Sequence, residues 1–167
     1  MKIEKDCCFT EDNNRFRYRA AGIIIEDNKI LFAANDICDY FYTVGGGVHM
    51  SEKSEDCVKR EVFEETGMNY DADRLVAVVE NFFIGHLPNI DKMDCHTIEF
   101  YYLMKSKGIK SFDDKPKNQE NYGERLVWIP MDSIDKYNIK PAFLKNRINE
   151  IIESKNILHI VTDIDRK

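Results

Sequence analysis

The stretch REVFEETGM, Arg60 to Met68, places three glutamates, Glu61, Glu64 and Glu65, three and four residues apart. Residues at those spacings share one face of a helix, so the three side chains would project together. Val58 and Val62 stand beside Glu61 and Glu65 on such a helix, which turns part of the acidic face toward apolar surroundings. Like charges held there repel one another and resist desolvation, and no neighbouring lysine pattern offsets the cost. A divalent cation would offset it. Mg²⁺ takes carboxylate oxygens together with some water, and an ion held in this way keeps coordination positions open for substrate phosphates. The other reading of a bare E-x-x-E-E is a solvated charged helix face, and the surrounding residues decide between the two.

Those residues are Gly46, five positions, Glu52, seven positions, then Arg60, Glu61, Val62, Glu64, Glu65, Gly67 and Met68. This is the complete pattern G-x5-E-x7-R-E-U-x-E-E-x-G-U, with U apolar, known as the Nudix box. A chance match has a probability on the order of 10⁻⁹ per register, so the chain resembles the Nudix hydrolase family. The resemblance implies an α/β/α sandwich with a mixed β-sheet, and hydrolysis of a nucleoside diphosphate linked to another group. It also implies that the Gly46 carbonyl, Glu61, Glu64 and Glu65 hold Mg²⁺, or Mn²⁺ in its place. Such ions bridge a diphosphate, neutralise charge developing on phosphorus and lower the pKa of the attacking water. By the same resemblance Arg60 and Glu52 orient the ligating carboxylates. Glu61 is the first choice of general base and Glu120, in a later loop, the second. A nucleotide-binding sensor without turnover is the alternative that an eroded box would favour, and this box is intact.

Two loop positions depart from the family. Many members read G-G-x-x-E-x-G-E, whereas His49 and Ser51 stand here in place of that Glu and Gly. His49 reads as an ordinary loop histidine. Glu80 and Glu99 fall in predicted strands, where a glutamate usually faces solvent, and stay outside the expected site. The marks of ADP-ribose pyrophosphatases, diadenosine-polyphosphate hydrolases and NADH pyrophosphatases are all absent. The nucleotide substrate is therefore left undefined. Aromatics such as Tyr42, Phe82 and Phe83 suit base stacking, but strand alternation sends only half of them to any one face, and none is assigned.

The elements that must position these residues are legible in outline. FRYRAAGIIIEDNKILFAAN reads as two strands turned at Asp27-Asn28, and YFYTVGGGV as a short strand ending in three glycines. A helix runs from Ser54 to a stop at Gly67, with acids in its first turn. LVAVVENFFIG, TIEFYYLM and ERLVWIP read as strands, with a charged irregular loop over 105–122. In PAFLKNRINEIIES, Pro141 suits the first helical position, and Leu144, Ile148, Ile151 and Ile152 form a core stripe.

The chain has 167 residues, 43% apolar and 32% charged, the size and balance of one globular domain. We expect that domain to occupy residues 1–167, its core about 15–153 and the box 46–68. The net charge of −6 disfavours a general grip on nucleic-acid polymers. No apolar run nears the ~20 residues of a membrane span, and the first residues lack a secretory pattern, so a cytoplasmic location is expected. Five cysteines without C-x-x-C spacing read as reduced thiols. The expected partner is a small nucleotide. The resemblance also allows a homodimer, for which the sequence marks no interface.

Overall fold

Runs rich in Val, Ile, Phe and Tyr form strands in this chain, and the places where they break determine which sheet each strand joins. The computed structural model describes residues 5–109 and 123–163. Its strands are β1 (Cys8–Glu11), β2 (Asn14–Ile23), β3 (Ile25–Glu26), β4 (Lys29–Ala34), β5 (Gly45–Gly47), β6 (Ala72–Ile84), β7 (Asp94–Met104), β8 (Arg125–Pro130) and β9 (Leu158–Asp163). Helices α1 (Ser54–Thr66) and α2 (Phe143–Glu153) and a 3₁₀ helix (Met131–Lys136) complete it. The larger sheet has the order β1-β2-β7-β6-β9, with β5 paired to β2. It is mixed: β2 runs parallel to β7 and β6 parallel to β9, while β6 and β7 are antiparallel. Strands β3, β4 and β8 form a smaller antiparallel sheet.

Alternation along β2 makes this a three-layer structure. Ala20 packs with Val58 and Val62 of α1, whereas Ala21 and Ile23 pack with Leu144, Ile148 and Ile151 of α2. A side chain at Gly22 would stand 3.1 Å from Val62 Cγ2, so the glycine lets α1 lie close on the sheet. The result is the expected α/β/α sandwich.

Helix α1 begins and ends where expected, with Glu55 and Asp56 in its first turn. Gly67 at its end has φ 71°, and its N–H donates to the Phe63 carbonyl at 2.7 Å. Asp27 and Asn28, at φ 46° and 58°, make the tight two-residue turn that joins β3 to β4.

Several details differ from the sequence reading. The chain breaks at Ile24, so the long β2 and the β3–β4 hairpin enter different sheets. Gly45–Gly47 form strand β5 itself instead of following a strand, because bare backbone can lie against Arg19, Ala20 and Ala21. Pro141 precedes the helix, whose N-cap is Ala142. Strand β9 lies past residue 153 and adds an edge to the larger sheet. Of the predicted loop only residues 105–109 are described, and Glu120 lies outside the described residues. Among the described residues no helix is long and apolar enough to cross a membrane.

Glu26 fixes how the chain leaves β7. Only 1% exposed, it accepts hydrogen bonds from Tyr70 Oη (3.1 Å), Ser106 Oγ (2.7 Å) and the N–H groups of Lys107, Gly108 and Ile109 (2.7, 3.0 and 3.1 Å). Burial alone would push its pKa up; the donors, led by the Lys107 N–H, outweigh it and hold the group below the usual carboxylate range. A lowered folded-state pKa means stability that is present above the unfolded value near 4.3 and lost as pH falls through the folded one. Glu26→Ala, which strands these donors, should therefore lower unfolding stability at pH 7 by about 2–4 kcal/mol in a urea titration, with a smaller difference below pH 3. An unchanged midpoint at pH 7 would contradict the anchoring role.

Candidate active site

Strand β5 lies beside β2 at Arg19–Ala21, and α1 lies across it. Glycine is required here by contact: a Cβ on Gly46 would collide with the Glu61 carboxylate, and one on Gly47 with Asp6. The backbone and the acids of α1 can thus touch, which is the close approach the three glycines provide.

Arg60 organises the acids. Its Nε and Nη2 donate to the two oxygens of Glu52 at 2.9 and 3.0 Å, a bidentate pair. Its Nη1 donates to Glu61 Oε1 at 2.6 Å and to Glu64 Oε2 at 3.3 Å, and its Nη2 also reaches the Gly47 carbonyl at 3.2 Å. Glu52 further accepts the His49 N–H at 2.9 Å. Arg60 first, against burial, holds the Glu52 pKa down at about 2. Glu52 is therefore ionised under all ordinary conditions.

Glu61, Glu64 and Glu65 line a cleft of about 340 Å³ together with Gly46, Tyr42 and Glu124. Arg60 and Glu52 are not part of its lining. Glu65 accepts the Gly45 N–H at 3.0 Å, yet burial, and then the charge of Glu124, push its pKa up to about 8. Tyr42 is raised likewise by burial and by Glu124. Among the described residues no three His, Cys, Asp or Glu side chains already converge at metal-ligand distance, and Arg60 pairs with both Glu61 and Glu64. The donor set still suits a hard divalent cation, because carboxylates and a glycine-strand carbonyl share one cleft, and for Glu65 burial and Glu124 outweigh the Gly45 N–H and Arg19.

Four of the expected residues, Gly46, Glu61, Glu64 and Glu65, thus meet in the cleft. Glu124, at the foot of β8, was missed; its position two residues before an apolar run carries no sign of what it faces. Glu99 requires a correction. It is buried, not solvent-facing, because Arg19 lies at 3.5 Å and Tyr101, Thr97 and Asn81 donate to it at 2.6, 2.7 and 3.0 Å. Glu80 stays outside the site, bonded to His159 at 2.8 Å. His49 approaches Asp6 and Glu52 and does not line the cleft. Ser51 has φ 67°, so the chain keeps a glycine-type conformation where many Nudix proteins carry glycine.

The NUDIX domain model matches residues 16–151. Diphosphoinositol polyphosphate phosphohydrolase 2 of Rattus norvegicus is 32% identical over 140 residues, 81% of this chain and 70% of that protein. The Homo sapiens protein of the same name is 31% identical over the same shares. Among solved structures, a MutT protein from Bacillus halodurans superposes with a TM-score of 0.65 at 16% identity, over 90% of this chain and 93% of that one. A MutT protein from Methanosarcina mazei Go1 gives 0.60 at 18%, over 84% and 96%. At these identities the two structures show a shared fold.

The raised Glu65 pKa has a stability consequence. A folded-state pKa above the unfolded one makes the contribution complete below about pH 4.3 and lost as pH rises toward 8. Metal-free protein should lose on the order of 2 kcal/mol across that window, and Glu65→Gln should remove this slope. Urea midpoints in EDTA at pH 5 and 8 measure it; equal slopes in the two proteins would refute the assigned burial.

Proposed function

Because the chain belongs to the NUDIX family, and is thereby a hydrolase acting on phosphorus-containing acid anhydrides, we propose that it is a metal-dependent pyrophosphohydrolase. Its substrate is a small nucleotide or related diphosphate compound, cleaved by attack of water at phosphorus. One observation carries the reading most directly: Glu65, its pKa pushed up to about 8 beside Glu124, lies over a glycine strand in a cleft with Glu61 and Glu64. Such an arrangement is unfavourable alone and favourable around a cation.

The residues that would hold Mg²⁺ or Mn²⁺ are Glu61, Glu64, Glu65 and the Gly46 carbonyl, with Glu124 facing them. When bound, such an ion neutralises phosphate charge and acidifies a coordinated water. Gly45–Gly47 give the substrate phosphates a backbone surface free of side chains. Arg60 and Glu52 fix the rotamers of the ligating acids, and they keep α1 against the glycine strand. Glu61 remains our general base. Glu120 stays the second choice, and Glu124, which lines the cleft, is a further acid able to accept the proton. The sensor reading gains no support from a site that keeps every carboxylate of the box.

The relatives act on diphosphoinositol polyphosphates by their names. We add such compounds to the assay panel alongside ADP-ribose, oxidised dGTP, dNTPs, diadenosine polyphosphates, NADH and nucleotide sugars. Phosphate release, directly or after a coupled phosphatase, should require Mg²⁺ for at least one of them. Glu64→Gln should lower kcat by ~10²-fold or more with the circular dichroism spectrum unchanged. Tight binding without turnover across the panel would overturn the enzyme assignment in favour of a sensor.

A further inference from the structure

Beside the carboxylate cleft, and sharing Arg17, Tyr42, Gly45 and Glu124 with it, lies a second cavity of about 630 Å³. It opens over the face of the larger sheet on which β2 sets Arg15, Arg17 and Arg19, each two residues from the next and so on one side of the strand. Lys140, ahead of α2, adds a fourth cationic side chain to the lining. In a chain of net charge −6 this is a local reversal of sign.

The three arginines are neutralised unequally. Arg19 is matched, with Glu99 at 3.5 Å and the Thr43 and Gly45 carbonyls at 2.8 and 3.2 Å. Among the described residues Arg17 has one ion-pair partner, Asp6 at 3.6 Å, and its Nε is buried without a hydrogen-bond partner. The Arg15 side chain makes no hydrogen bond or ion pair among the described residues, although the cavity exposes it next to Cys95 of β7. A buried donor left unpaired is costly, and two guanidinium groups on one strand face repel each other, so both defects are relieved by the same thing: an anion with several acceptor oxygens. Phosphate fits, since the planar fork of arginine matches its geometry. The scissile diphosphate belongs at the carboxylates next door, whose cleft Arg17 borders but Arg15 does not, so an anion seated between Arg17 and Arg15 is a different group of the same molecule. The walls made by Tyr40, Phe82 and Phe83 can hold the carbon skeleton between them.

We propose that the cavity over β2 is a subsite for a second, non-scissile phosphate, bound by Arg15 and Arg17, and that the substrates are diphosphate compounds whose remaining moiety is itself phosphorylated. The proposal rests on the pyrophosphohydrolase reading of the neighbouring cleft, and its test is chosen to fail separately. The full chain, in EDTA, is titrated calorimetrically with inositol hexakisphosphate, which carries phosphomonoesters but no diphosphate, and with AMP. The hexakisphosphate should bind the unsubstituted chain. Arg15→Gln and Arg17→Gln should each weaken it at least tenfold, and Arg15→Gln, at the open end of the face, decides alone if Arg17→Gln does not fold. Glu64→Gln should bind it as tightly as the unsubstituted chain, so a dead hydrolase with an intact subsite is recognisable. Absence of hexakisphosphate binding, or binding unaffected by both arginine substitutions, would overturn the proposal. So would AMP binding more tightly than the hexakisphosphate and insensitive to both substitutions, which would make the cavity a nucleobase pocket.

Discussion

Arg60 donates at once to Glu52, Glu61, Glu64 and the Gly47 carbonyl, and everything at the carboxylate cleft depends on that one guanidinium. A helix carrying three glutamates on a half-buried face would repel itself off the sheet. Arg60 supplies positive charge from the same helix, and Glu52, held ionised at about 2, keeps Arg60 in place from the loop. The bidentate geometry makes this a joint and not merely an attraction, because a planar fork fixes both partners' orientations. Glu65 is the acid that this joint does not reach. It faces the cleft with a backbone N–H from Gly45 as its hydrogen-bond donor and Glu124 near it, and on that imbalance rests our proposal that the cleft takes a cation.

Strand β2 distributes the rest. Its even residues Ala20 and Gly22 accept α1, and the absence of a side chain at Gly22 lets Val62 come close. Its odd residues divide along their length. Ala21 and Ile23 build the core under α2, while Arg15, Arg17 and Arg19 face an open cavity. The buried Arg19–Glu99 pair marks the boundary, since an arginine that near the core needs a carboxylate and several donors to be tolerable. The helix acids and the strand arginines thus meet along one wall, at Gly45, Tyr42 and Glu124. Clusters of opposite charge thus stand side by side.

Much of this was legible in the sequence because it rests on local rules. Gly67 stops α1 through its own left-handed backbone, Asp27-Asn28 turn the hairpin, and the box spacing brings Gly46, Glu61, Glu64 and Glu65 to one cleft. What escaped was non-local. Glu99 looked like a surface residue because alternation in a strand says which residues share a face, and nothing about whether an arginine waits on the neighbouring strand. Glu26 becomes a buried anchor only when residues 106–109, some eighty positions later, fold over it. Glu124 enters the cleft through the pairing of β8 with β4, a register that its own neighbours do not encode. Glu120, chosen for its loop, belongs to the residues not described.

The central claim is that the cleft is a cation site whose metal-free form holds a proton on Glu65. Calorimetric titration of the chain with Mn²⁺ at pH 7, repeated in buffers of different ionisation enthalpy, counts the protons released on binding. The account predicts micromolar to millimolar binding with close to one proton released per bound ion that engages Glu65, and no such release from Glu65→Gln. Binding with no proton release, or no binding at all, would contradict it.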